Sequence, residues 1–225
     1  MKKKLLLFGT GKIAESVSYY FERDSEYTIV SYILDDEYVT VDSFKQKPIT
    51  KISNVEETFS SEEYFVFVAV GYQGMNQLRT SKVAFFKDKG YQFAQYRSPY
   101  VQGNFSIGEN SIIMDNAIIQ PCASFGNNVF VWGGAMIGHH SRIDDNCWLT
   151  GGCLIGGISH IGEFCFVGLG TIIGHEISIG EKCMLGAGTM TCKSLNPGTV
   201  LIAPNTEAHR LNSDQFTRMS LCFRI

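Results

Sequence analysis

The chain has 225 residues, is 44% hydrophobic, and carries a formal charge of −3 from 19 basic and 22 acidic residues. That length and apolar content can build one large domain or two modest ones. The charges are mixed along the chain without a basic patch, which argues against a nucleic-acid or membrane-surface partner. Seven cysteines are an odd number, and their spacing fits neither paired CxxC metal sites nor a secreted disulfide framework.

The first segment sets Lys2–Lys4 before the apolar run Leu5–Phe8, the charge order of a secretory leader. Four apolar residues ending in Gly9-Thr10-Gly11 and Lys12 are too few for such a leader, so the segment reads as a first β-strand and the protein as cytoplasmic. No run approaches the roughly 20 apolar residues that span a bilayer. A helical stretch over Ile13–Phe21 and a strand over Thr28–Leu34 come next, then a strand at Tyr64–Val70 and a helix from Met75 to Lys89, on which Met75, Leu78 and Phe85 fall at near-helical spacing. This alternation predicts a small α/β, Rossmann-like domain over residues 1–97 with a parallel sheet. Arg97-Ser98-Pro99 reads as the linker to a second domain.

Gly9-Thr10-Gly11 and Ala14 fit G-x-G-x-x-A between a strand and a helix, where free backbone N–H groups hold a pyrophosphate. Asp35 and Asp36 lie just past the second strand, where an acid meets a ribose or base. Fewer than 100 residues supply about half of a full dinucleotide fold, so a mononucleotide suits the domain better.

From Asn104 the sequence becomes periodic at six residues. Bulky apolar residues stand at 107, 113 and every sixth position to Leu185, fourteen in all, and small ones such as Ala117, Ala135, Cys147, Cys165 and Cys183 stand two residues before them. Glycine follows the bulky site at 108, 126, 138, 156, 162, 168, 174, 180 and 186, read as relief for a tight turn. Three such strands close an 18-residue triangular coil. Residues 18 apart then stack at the inter-strand spacing of about 4.8 Å, which puts Cys147, Cys165 and Cys183 in one internal column.

This repeat resembles that of the hexapeptide acyltransferases. The resemblance implies an all-β, left-handed parallel β-helix over residues 98–225, C-terminal tail included, assembled as a homotrimer with acyl-coenzyme A between neighbouring helices. Together with the half-size nucleotide domain, the chain resembles bacterial sugar acetyltransferases of the sialic acid O-acetyltransferase and bacillosamine N-acetyltransferase type, up to about Pro204. This likeness implies transfer of an acetyl group from acetyl-CoA to a UDP- or dTDP-linked amino sugar in surface-glycan biosynthesis. The alternatives are a sugar hydroxyl as acceptor, or a sugar-nucleotide binder without catalysis.

Carried over residue by residue, the resemblance places the nucleotide-sugar at Gly9, Thr10, Gly11, Asp35, Asp36 and Gly71. His139, in Ile137-Gly138-His139-His140 with Ile143 following, falls on the general base. The backbone N–H near Gly157, one coil later, falls on the group that meets the thioester carbonyl, and Lys193 on a lysine near the coenzyme phosphates.

Three positions depart from the family pattern. His140 stands in place of the acid after the base, Trp132 in place of an asparagine, and Trp148, on the coenzyme side, in place of a second histidine. The carboxylate that orients His139 is therefore Asp144, one from a neighbouring subunit, or none. The two tryptophans either line a changed acyl or acceptor pocket or pack at a subunit contact. Cys192 stays open as a nucleophile, although direct transfer is the expected route.

A zinc enzyme is the rival, since His139 and His175 share a column two coils apart. Coil stacking separates them by roughly 9–10 Å, and Gly180 stands where a third ligand would be, so no metal is expected. In the tail, Phe216, Leu221, Cys222 and Phe223 are expected to pack.

Overall fold

In the computed structural model, which describes residues 2–221, a six-stranded sheet docks on one face of a long parallel β-helix. The sheet is built from β1 (Lys3–Phe8), β2 (Tyr27–Leu34), β3 (Ser43–Phe44), β4 (Lys47–Lys51), β5 (Tyr64–Val68) and β6 (Gln92–Phe93). Its order is β3-β4-β2-β1-β5-β6, parallel throughout except for the antiparallel β3–β4 pair. Helix α1 (Lys12–Asp24) crosses from β1 to β2 and α3 (Gln77–Asp88) from β5 to β6, with the short α2 (Val55–Thr58) before β5. Leu5, Leu6, Leu7, Val66, Phe67 and Val68 are buried on both sheet faces, which is why these strands read as continuous apolar runs. Sequence reasoning missed β4, because Pro48 and its flanking lysines carry no strand pattern.

The helix begins one strand before the repeat is visible. β7 (Tyr96–Arg97) pairs in parallel with Ile112–Ile113 and heads a seven-stranded face that continues through Phe130–Val131, Trp148–Leu149, Phe166–Val167 and Met184–Leu185 to Val200–Leu201. A second, five-stranded face runs from Ile118–Ile119 to Met190–Thr191. A third, four-stranded face runs from Ser124–Phe125 to Ser178–Ile179. Between Ile112 and Thr191 each rung pairs with the residue 18 positions on, as Phe130 with Trp148 and Met136 with Leu154, while the end coils are shorter, with Tyr96 opposite Ile112 and Met184 opposite Val200, 16 positions apart. These stacked parallel strands fit a left-handed β-helix.

Inside, the bulky repeat residues from Ile113 to Leu185 form one core column per face, with Cys147, Cys165 and Cys183 fully buried among them. The glycines have a different task from the one expected. The left-handed turn residue is three positions beyond the bulky site, at Asn110, Asn128, His140, Ile158 and Glu176 for example, each with φ between 53° and 59°. The glycines directly after the bulky site instead let successive coils close up. A Cβ on Gly138 would lie 2.3 Å from the backbone nitrogen of Gly157, and one on Gly156 would lie 2.6 Å from the backbone of Gly174.

The outward residues of the first face, Ile112, Phe130 and Trp148, are buried beneath the sheet domain, where Phe67 packs on Phe130 at 5.7 Å between ring centroids. A polar ladder runs beside them. Asn110 accepts the Val68 N–H at 2.6 Å and donates to Asn128, which donates to Asn146, each step 2.8 Å. Arg79 of α3 is completely buried on this ladder, donating to the Asn128 side chain at 2.8 Å and lying over the rings of Phe130 and Trp148. Burial without a carboxylate partner pushes its pKa down to about 9. At the other edge Arg23 clamps Asp115 with two bonds of 2.7 and 2.8 Å.

Residues 205–219 are exposed apart from the half-buried Leu211, and α4 spans Ser213–Leu221. Phe216 meets His209 at 5.2 Å within the tail itself, while the side chain of Leu221, Cys222 and Phe223 lie outside the described residues. No helix among the described residues is long and apolar enough to cross a membrane.

Candidate functional site

At the C-terminal edge of β1 the chain turns through Gly9, whose φ of +116° strains any side chain and where a Cβ would stand 3.0 Å from the Ala69 carbonyl oxygen. Gly11 then caps α1 without a side-chain hydrogen bond. The first amides of α1 therefore point at open space with the positive end of the helix behind them. They border a cavity of about 610 Å³ that is also lined by Thr10, Asp35, Tyr38, Gly71 and Leu78. Glycine at 9 and 11, Thr10, Asp35 and Gly71 are thus brought together from three strand ends. Asp35 is tied to Lys82 of α3. Asp36 is not part of the cavity: its carboxylate turns away to accept the Ser53 hydroxyl at 2.7 Å and the Ser53 N–H at 3.2 Å, which hold its pKa below the usual range. Adjacent in sequence, the two acids face different partners.

The second cluster lies at the corner between the second and third faces of the helix. His139 follows the strand Met136–Ile137 and is exposed, and its backbone N–H donates to Gln120 Oε1 at 2.9 Å. Its ring lies over the next coil, with Nε2 2.6 Å from where a Cβ on Gly157 would be. Gly157 donates its N–H to no acceptor among the described residues, although its carbonyl accepts the Glu176 N–H at 2.9 Å. An imidazole and a free amide thus flank one small gap, the arrangement that a base and an oxyanion donor require.

No carboxylate touches His139 among the described residues. Its Nδ1 stands 3.2 Å from Nδ1 of His140, so one ring donates and the other accepts. Asp144 does not orient His139, because its two oxygens are taken by His160 Nε2 and Arg142 Nε, each at 2.6 Å on the third face. His175 lies closer than coil stacking alone requires. Its ring centroid is 5.9 Å from that of His139, since Gly157 leaves no side chain between them and both rings lean into the gap. No group of three or more metal-ligating side chains is present among the described residues.

Lys193 falls three coils below His139 on the same corner and is exposed. Trp148 is elsewhere. It is only 2% exposed on the first face, stacked on Phe130 at 4.8 Å with the rings 13° apart, so the chain does not bring it to its own His139 corner. With Trp132, Tyr72, Phe166 and Leu169 it lines an apolar cavity of about 460 Å³. Ile13, on the first turn of α1, borders both this cavity and the Gly9–Gly11 cavity. The substitution of polar residues by tryptophan was the sequence signal for an apolar pocket. That the sheet domain would form its other wall had no signal.

No protein-family model matches the chain, and no curated protein resembles it significantly. Solved structures do. The acetyltransferase domain of PglB from Neisseria gonorrhoeae FA1090, also solved in complex with acetyl coenzyme A, superposes with a TM-score of 0.78 at 22% identity, covering 88% of this chain and 96% of that one. The two share a fold. A mutant perosamine N-acetyltransferase from Caulobacter crescentus, in complex with CoA and GDP-perosamine, gives a TM-score of 0.80 at 20% identity over 89% of this chain and 93% of its own. WeeI from Acinetobacter baumannii AYE gives 0.65 at 16% identity, over 90% and 97%. These alignments run through both the sheet domain and the β-helix, so the pairing of the two is shared along with each part.

Proposed function

We propose that the protein transfers an acetyl group from acetyl-CoA to the amine of a nucleotide-linked sugar, with residues 1–97 holding the nucleotide and residues 98–225 carrying the chemistry. The observation that carries this reading is the corner gap, where the His139 ring lies against Gly157 and the Gly157 N–H is free. The supporting observation is the glycine-turn cavity in the sheet domain, with unpaired amides suited to a pyrophosphate. The structural likeness to acetyltransferases solved with acetyl coenzyme A, and with CoA and GDP-perosamine, agrees with both.

In the proposed reaction His139 takes a proton from the sugar amine as its nitrogen attacks the thioester carbonyl. The Gly157 N–H holds the oxyanion, and the C–S bond breaks with its electron pair going to sulfur, so that the coenzyme leaves as a thiolate to be protonated. Gly9, Thr10, Gly11, Asp35 and Gly71 bind the nucleotide-sugar, and Lys193 faces the coenzyme phosphates. Trp148 acts on the acceptor side, as a wall of the apolar cavity next to the nucleotide. A homotrimer is the proposed assembly. The second face supports it, since its outward residues Ile118, Leu154, Ile172 and Met190 form an apolar stripe, with Ile118 58% and Met190 67% exposed.

The test is incubation of the protein and its His139→Ala variant with acetyl-CoA and a panel of UDP-, dTDP- and GDP-linked amino sugars, following product mass and thiol release together. Acylated sugar from the wild type, reduced at least about 100-fold in the variant, is expected. Nucleotide-sugar binding without product would identify a binding protein instead.

A further inference from the structure

The departure of His140 from an acid leaves the proposed base without a carboxylate, yet a histidine followed by an acid does occur at this corner. Two coils below His139, Ile173-Gly174-His175-Glu176 with Ile179 repeats the spacing of Ile137-Gly138-His139-His140 with Ile143, with glutamate in the place of His140. His175 is exposed, and its Nε2 lies 3.3 Å from Glu176 Oε1. Its ring centroid is 5.9 Å from that of His139, with Gly157 between the two coils. The coil fixes this pairing firmly, because the Glu176 N–H is bonded to the Gly157 carbonyl and the Ile158 N–H to the His139 carbonyl.

Resting on the acyl-transfer reading above, we infer that His175 is a second catalytic residue, the acid that protonates the departing sulfur. A carbonyl oxygen bound at the Gly157 N–H has an imidazole on either side. The two imidazoles have different partners, and the partners divide the labour. His139 has no carboxylate beside it among the described residues, its Nδ1 meeting that of His140, and serves as the ring that accepts a proton. His175 has a carboxylate beside it, the counter-ion that an imidazolium requires, which leaves its Nδ1 as the free donor.

Atoms and charges balance across the step. The amine lone pair forms the N–C bond while its proton goes to His139. The oxyanion re-forms the carbonyl, the C–S bond pair moves to sulfur, and the His175 proton passes to sulfur to give the thiol. Solvent then carries one proton from His139 to His175 and restores both rings. No oxidant, metal or acyl-enzyme takes part.

The experiment compares full-length wild type, His139→Ala, His175→Gln and Glu176→Gln, first with acetyl-CoA and then with S-(4-nitrophenyl) thioacetate, whose thiolate departs without a proton. The acceptor is whichever amino-sugar nucleotide of the UDP, dTDP and GDP panel is turned over. With acetyl-CoA, His175→Gln is expected to lower kcat about 100-fold at unchanged KM for both substrates, and Glu176→Gln to lower it about tenfold. With the nitrophenyl thioester the His175→Gln deficit is expected to fall below about threefold, while the His139→Ala deficit persists. Turnover of His175→Gln within about threefold of wild type on acetyl-CoA would overturn the assignment. So would an equal deficit on both thioesters, which marks a positioning role. A wild type that acylates no sugar of the panel is a different outcome, in which the acyl-transfer reading itself fails and the acid role fails with it.

Discussion

Two glycines one coil apart separate stability from chemistry at the level of single residues. A Cβ on Gly138 meets backbone atoms of Gly156 and Gly157 at 2.3–2.6 Å, whereas the nearest atoms to a Cβ on Gly157 are those of the exposed His139 ring, a side chain that can swing outward. Gly138→Ala should therefore destabilise the helix by about 3 kcal/mol, read as a lower denaturant midpoint. Gly157→Ala should leave the midpoint nearly unchanged and reduce acyl transfer by about 100-fold, because the displaced imidazole loses its place beside the amide. The cysteines divide in a similar way. Burial pushes the Cys153 thiol up to about 12 and raises Cys147 well above its ordinary value, while Cys122 and Cys192 are exposed. Iodoacetamide at pH 8 should label Cys122 and Cys192 in the native protein and spare Cys147 and Cys153, as peptide mapping would show. The place of Asp36 could not be read from the sequence. Asp35 and Asp36 are equivalent in pattern, and only the return of the chain to Ser53 decides which carboxylate stays at the cavity.

Among the elements, the sheet domain is held on the β-helix by rings, by the asparagine ladder with Arg79, and by the ion pairs Arg23–Asp115 and Lys87–Glu109. Ser98 and Arg23 both donate to Asp115, and the guanidinium holds this carboxyl below the usual carboxylate range. A native pKa below the unfolded one adds stability that is fully present above the unfolded value of about 3.9 and is lost as pH falls through the native value. Thermal melts from pH 7 down to pH 2 should show a fall below pH 4 that is shallower in Asp115→Asn. That variant should already be about 2 kcal/mol less stable at pH 7. The repeat itself was legible from Ile107 onward, since bulky and small residues alternate on a fixed period. The partner of each face was not. The first face (Ile112, Phe130, Trp148) and the second (Ile118, Leu154, Ile172) are both apolar outward, and no local pattern separates a face covered by the chain's own sheet domain from one left open. The β3–β4 pair was invisible for a related reason. Its strand β4 is joined to β2 by Ser31 bonding to Pro48 and Thr50, a contact that leaves no periodic trace.

At the scale of the whole molecule, the open apolar stripe on the second face calls for burial against another copy. If the protein is a homotrimer built on that stripe, Leu154→Glu with Ile172→Glu should shift its mass in light scattering from three chains to one while the circular dichroism spectrum stays unchanged. Nucleotide binding should survive in the separated chain, since the Gly9–Gly11 cavity is formed within one subunit.

The pairing of each rung between Ile112 and Thr191 with the residue 18 positions on also sets what changes of length that stretch can bear. Excising 18 residues from the repeat removes one storey and leaves each later side chain on its own face. Excising six turns everything downstream by a third of a revolution and carries the corner histidines onto a neighbouring edge. Drift by single residues is closed to that stretch, whose length can change only in whole storeys if every side chain is to keep its face, whereas the end coils already run two residues short. A loss of one storey between His139 and His175 would bring the two imidazoles onto adjacent coils and remove Gly157 from between them, and a gain would set them a coil further apart.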